Sequence, residues 1–195
     1  MDSAELITRV RELLDDPAPG AVSDGEIQNA LTTGQNEIAL MLLSGGRHAS
    51  LRPLMKRFEY TSLDLPEAPL PSDCLRLLCI AFASGSQEPH QRRYRMIRSN
   101  TKSSVSNALL PPENYCQIIG STIIFEGDFT PPGSCHGIYL MSPGSVQKGE
   151  ATVIPPEWCD ATVQYAYAIL LRKLGDPGDA MQEYLRWKEM AERLP

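Results

Sequence analysis

The amino-acid sequence predicts an α+β fold: a mainly α-helical bundle, with two N-terminal and two C-terminal helices, and a central β-rich insertion. Three observations predict it. Residues 1–50 and 153–195 carry apolar residues at helical spacing, bounded by capping and stop residues. Residues 51–152 instead carry short apolar runs separated by Pro- and Gly-rich turns, the pattern of strands. The stretch from Ala161 to Leu171 has no charged side chain at all, so it reads as a helix buried near the centre of the bundle. The three segments make one structural domain with a subdomain, and no internal repeat is present.

The first helix opens at Asp2-Ser3-Ala4-Glu5, a capping box, and carries Leu6, Val10 and Leu13 on one stripe with Ile7 and Leu14 beside it. Asp15-Asp16-Pro17 ends it, because a residue before proline avoids the helical basin. Ser23-Asp24-Gly25-Glu26 is a second capping box. Its helix places Ile27, Leu31, Gly34, Ile38 and Leu42 on one stripe and stops at Gly45-Gly46. Gly34 costs roughly 1 kcal/mol of helix propensity, which close approach of the uncharged helix 161–171 would justify.

In the insertion, residues 63–72 read as a turn region and Cys74 to Phe82 as an apolar strand. Arg93 to Arg98 alternates imperfectly. Tyr115–Ile119 and Thr122–Phe125 flank Gly120-Ser121, a two-residue hairpin turn, and Ile138–Met141 reads as a further short strand. The third helix starts after Pro155-Pro156, since a first-turn proline sacrifices no hydrogen bond. Glu157 and Asp160 suit its positive end, Arg172 and Lys173 its negative end, and Gly175 gives a left-handed stop with Pro177 beyond. The fourth helix reads as beginning at Asp179. Ala180, Tyr184, Trp187, Ala191 and Leu194 form its stripe, and Met181, Leu185 and Met190 widen the apolar arc to about 220°. Packing on one side needs about half of that arc. The excess predicts a partner surface, with Tyr184 or Trp187 exposed in the free chain and Tyr184, Trp187, Met190 and Leu194 as the contact candidates.

A chain of 195 residues with 42% hydrophobic and 22% charged residues is an ordinary globular composition. No apolar run reaches the roughly 18 residues of a membrane span, and no signal segment opens the chain, so the expected site of synthesis is a reducing cytosol. The five cysteines lack any Cys-x-x-Cys pair and read as free buried thiols, with no zinc site. Net charge is −6, which excludes a protein that clamps nucleic acid over its whole surface. The charge is uneven: Arg92, Arg93, Arg95, Arg98 and Lys102 lie in a stretch without an acid, and the remaining 13 basic and 24 acidic residues leave −11 elsewhere. A cationic segment on an anionic body is a docking pattern. The arginines are therefore subunit-interface candidates, with DNA phosphate contact and a charged strand edge as the other readings.

No phosphate loop, dinucleotide fingerprint, Gly-x-Ser-x-Gly or His-Glu-x-x-His motif is present, and no catalytic, cofactor-binding or metal residue is assigned. Cys135-His136 is the one pairing that resembles a nucleophile and base, but neighbours on a strand point to opposite faces. A small cytosolic enzyme or regulator with a site near Cys135 and His136 is the alternative from another class. Asp15, Asp16 and Asp24 lack the alternate spacing of a calcium loop and read as a solvated acidic loop.

Glu5-Leu6-Ile7 with Val10-Arg11 and Leu13 to Asp16, then Ser23-Asp24-Gly25-Glu26-Ile27 and Gln35-Asn36-Glu37-Ile38, resembles the opening of tailed-phage head-to-tail adaptor proteins. Leu70 to Leu77, after a first strand, is similar as well. So are Ile138-Tyr139 followed by Pro143, Ile154 to Trp158, Ala166 to Leu171, Gly175-Asp176, Ala180 and Tyr184. The order of these motifs carries the resemblance, over most of the chain and least across 84–114. It implies a virion structural protein of the neck, assembled in the host cytoplasm as a ring of about twelve copies between portal and tail. Its C-terminal segment would meet the portal protein and its β side tail or nozzle proteins. Genomic DNA would pass through the lumen without sequence-specific binding, aided by like charge. A head-completion or stopper protein of the neck is the alternative within this class. The chain departs from the family in its Arg-rich stretch at 90–102 and in stopping at Pro195 without a long tail, which bears on portal gripping.

Overall fold

A computed structural model describes residues 2–16, 20–84, 95–96, 115–126, 131–147 and 154–195. The predicted class holds: among these residues four helices lie at the two ends of the chain and the strands between them. The chain divides into two compact units, Met1–Pro53 with Ser142–Pro195, and Leu54–Met141.

The first unit contains α1 (Ser3–Leu14), α2 (Asp24–Ser44), α3 (Cys159–Leu174) and α4 (Pro177–Glu192). The Asp2 carboxylate accepts from the Ala4 N–H at the start of α1. At α2 the capping box is complete, with Ser23 and Glu26 each bonding the other's backbone N–H. α1 and α3 end on residues in the left-handed basin, Asp15 (φ 53°) and Gly175 (φ 93°). α2 ends on the same motif one residue later, with Gly46 at φ 74°. In all three the following N–H reaches back to a carbonyl five residues earlier, closing the last turn.

α3 packs against α1, α2 and α4, as its uncharged run from Ala161 to Leu171 predicts. A short 3-10 turn, Pro156–Trp158, leads into it, and Trp158 is wholly buried. The α2 stripe of Ile27, Leu31, Gly34, Ile38 and Leu42 is buried, and Gly34 lies against Tyr165 of α3 as its position predicted. α4 begins at Pro177, two residues before the start read from sequence. Asp176 caps it by accepting from the Asp179 N–H, and proline at the first position gives up no bond. Ser142 and Val146 hydrogen-bond to Asn36 and Thr32 of α2, and Ser3 donates to the Gln147 carbonyl.

The second unit holds β1 (Met55–Leu63), β2 (Glu67–Pro69), β3 (Cys74–Ser84), β4 (Arg95–Met96), β5 (Tyr115–Ile119), β6 (Thr122–Glu126) and β7 (Gly133–Met141). They form an antiparallel sheet of order β1-β7-β3 and a second sheet of order β2-β6-β5-β4, in which β4 runs parallel to β5. The Gly120-Ser121 hairpin is present, pairing Ile119 with Thr122, and Gly120 takes φ 61°. Phe82 of β3 stacks on Phe125 of β6 with centroids 4.2 Å apart, joining both sheets into one core.

Two strands correct the sequence reading. β2 lies inside the stretch 63–72 read as a turn, because a three-residue edge strand can carry Pro69 where no ladder donor is needed. β7 starts at Gly133, five residues before the predicted Ile138, and alternates buried with half-buried positions from Gly133 to Tyr139. Its central Gly137 faces the Phe58 ring and the Cys79 carbonyl so closely that no side chain fits.

Candidate assembly surface

Each end of the α3–α4 pair is set by its own chemistry. Pro156 and Asp160 mark the start of α3, Arg172 and Lys173 its last turn, and the Gly175 turn reverses the chain into α4. Gln164 of α3 then donates to the Glu183 carboxylate of α4 at 2.6 Å. Lys173 pairs with Glu26 at the start of α2, and Arg9 of α1 with Asp160 at 2.7 Å. The Glu26 carboxyl is pulled down to about 2 by Lys173, helped by the Ser23 N–H and hydroxyl.

Against this frame the 220° arc of α4 resolves into a seam and two flanks. Ala180, Trp187 and Ala191 form the seam and are buried. Trp187 is only 3% exposed, and its ring meets Tyr165 edge-on at 4.9 Å. Of the two aromatics from which one exposed anchor was expected, Tyr184 is the accessible one, at 38%, leaning on Trp187 at 5.0 Å. Met190 lies on the other flank and is half-buried, as is Leu194, which falls beyond the helix because α4 ends at Glu192, short of the expected stripe. The widest exposure on α4 falls on Met181 (61%) and Leu185 (53%); Tyr184 and Leu185 lie three and four residues beyond Met181, so the three share a flank. Sequence reasoning counted these two in the arc but left them out of the contact candidates. Only the placement of the seam separates them from Trp187.

Arg92, Arg93, Arg98 and Lys102 lie outside the described residues. Arg95 opens β4, its backbone paired opposite Tyr115.

The acidic loop is corrected too. Arg11, 8% exposed, holds Asp24 through Nη2 at 2.5 Å and Nε at 3.1 Å, and also binds Asp16 and the Val22 carbonyl. Asp16 in turn accepts from the Val22 N–H. Two of the three acids thus have an internal counter-ion and are not simply solvated. The signal was available in the sequence: Arg11 sits one turn beyond Ile7, on the buried side of α1, beside two aspartates.

Cys135 and His136 occupy opposite faces of β7, one buried and one half-buried. Burial pushes the Cys135 thiol up to about 12, so it holds its proton at neutral pH and is a core residue. Cys116 and Cys159 are buried and Cys74 half-buried, whereas Cys79 is exposed, a departure from the expected five buried thiols. Among the described residues, no group of three or more His, Cys, Asp and Glu is gathered that could hold a metal ion. No described helix is long and apolar enough to cross a membrane.

Among the described residues, the α3–α4 hairpin exposes an apolar flank of Met181, Tyr184 and Leu185, chemistry suited to protein contact. Helices at both ends of the sequence, with the strands between them, define the class of a mixed α+β protein. A family model described as SU10 adaptor protein matches residues 1–194, and the chain belongs to that family, a phage head-to-tail adaptor family. It is a phage adaptor protein, and its family implies work with other phage head and tail proteins. A search of curated proteins found no match.

Proposed function

We propose that the chain forms a ring of about twelve copies in the virion neck, between the capsid portal and the tail, with genomic DNA passing through its lumen. The observation that carries this reading is family membership over residues 1–194, joined to the exposed flank of α4. Met181, Tyr184 and Leu185 provide the portal contact, Trp187 supports them from beneath, and Met190 and Leu194 border the site. The β-rich unit receives tail or nozzle proteins. Arg92, Arg93, Arg95 and Arg98 meet the acidic surface of the neighbouring copy, since a ring interface joins unlike patches of one chain. The role is structural, without catalysis or cofactor, and assembly takes place in the host cytoplasm.

The test is a pair of surface substitutions, Met181→Asp with Leu185→Asp, assayed by co-purification with the portal protein. The expected outcome is an unchanged melting temperature and lost portal binding. Retained binding overturns the assignment of this flank. Native mass measurement of Arg92→Glu, Arg93→Glu, Arg95→Glu addresses the ring: folded monomers are expected, and intact rings would refute the subunit interface.

A further inference from the structure

The end of α4 has a second set of bonds, contributed from the other end of the chain. A helix leaves its last four carbonyls without intrahelical donors. In α4 the N–H groups of Arg193 and Leu194 take the Met190 and Ala191 carbonyls. Side chains from the turn after α2 serve the last carbonyl of α4 and the residues beyond it: Arg47 donates through Nη2 to the Glu192 carbonyl and through Nη1 to that of Leu194, and the Ser50 hydroxyl donates to the main-chain oxygen of Pro195.

Arg47 is aimed by the backbone. Gly46 takes φ 74°, and the Arg47 N–H bonds the Leu42 carbonyl at 2.9 Å, closing a Schellman motif on α2. The guanidinium is therefore presented from a fixed turn. Its planar fork fits two carbonyls at once, which a lysine ammonium on a flexible stem cannot reproduce. The positive charge also lies at the negative end of the α4 dipole. All three bonds lie at exposed or half-exposed positions, so they can open without disturbing Ala180 and Trp187, the buried seam residues before the last turn.

We propose that Arg47 and Ser50 form a clasp that holds residues 192–195 on the helical unit and sets how readily the last turn of α4 opens. Arg47 is a positioning residue in this device. The clasp acts within the chain alone, so it stands or falls independently of any portal contact.

Hydrogen exchange on the full chain tests it. Arg47→Ala should speed exchange of the Arg193 and Leu194 amides about tenfold or more, the effect of losing two charge-assisted bonds. Exchange at the centre of α4 and the melting temperature should hold. Arg47→Lys should restore only part of the protection, and Ser50→Ala should give a smaller effect than Arg47→Ala. Gly46→Ala, which forces a side chain into the left-handed basin, should loosen the same two amides while leaving Arg47 in place. Unchanged exchange at Arg193 and Leu194 in Arg47→Ala overturns the clasp. So does a uniform rise across all four helices, which would make Arg47 an ordinary stability residue.

Discussion

Gly34 is where two helices meet most closely, and enlarging it measures that contact. A Cβ built there lies 3.0 Å from Tyr165 Cδ1, 3.1 Å from its Cβ and 3.2 Å from its Cγ. Ordinary contact begins near 3.4 Å, so something must yield. The ring cannot swing freely, since Trp187 meets it edge-on at 4.9 Å and Tyr184 borders it at 6.4 Å. Tyr165 Cβ is fixed to the α3 backbone, so relief requires α2 and α3 to part. Gly34→Ala gains about 1 kcal/mol of helix propensity but incurs about 1–3 kcal/mol of overpacking, for a net loss of about 0–2 kcal/mol. Gly34→Leu adds three further carbons in the same direction and should lose about 2–3 kcal/mol net. At this chain length each 1 kcal/mol moves the melting temperature by about 2–4 °C, so a fall of about 4–12 °C is expected. Thermal and denaturant unfolding supply the stability, and near-ultraviolet circular dichroism reports the Tyr165–Trp187 pair. A Gly34→Leu protein that melts at or above the parent temperature would refute the close packing of α2 on α3.

Four further outcomes follow from the same geometry. Trp187→Ala should cost about 3–5 kcal/mol by emptying the seam under α4, whereas Leu185→Ser should stay within about 0.5 kcal/mol, both read by chemical denaturation. Gly137→Ala should cost about 3 kcal/mol or prevent folding, because its Cβ would sit 2.6 Å from the Phe58 ring and 2.7 Å from the Cys79 carbonyl; normal stability would contradict the register of β7. Asp15→Gly should raise stability by up to about 1 kcal/mol, since Asp15 holds φ 53° at the end of α1, and a lower melting temperature would count against it. Glu26 has a folded-state value lowered to about 2 from 4.5, chiefly by Lys173, so its contribution is present above pH 4.5 and is lost as pH falls toward 2. The stability gap between parent and Glu26→Gln should therefore close across that range, and a gap that is constant with pH would rule out the pairing.

Local signals were strong enough to place the helices from sequence. Capping at Ser23–Glu26, the Gly175 stop and the uncharged run of α3 each act over a few residues, and neighbours in sequence suffice to express them. The 120–121 hairpin is legible for the same reason. Edges were less legible: β2 is three residues long and exists only because β6 lies beside it, and a paired neighbour is not visible in the strand's own residues. The same limit governs the surface of α4. Its sequence determined that the apolar arc exceeds what one contact can cover. Which part becomes core depended on the face α4 turns to α3, which put Trp187 against Tyr165 and left Met181 and Leu185 in solvent. Charge followed a similar division. The uneven distribution of arginines is a property of composition, but only tertiary structure brought Arg11 to Asp24, 13 positions apart, and Arg47 to the end of α4, 145 and 147 positions apart. Periodicity and caps report what a segment does with itself. Pairing across long separations depends on packing, because its energy arises only once the partners are brought together.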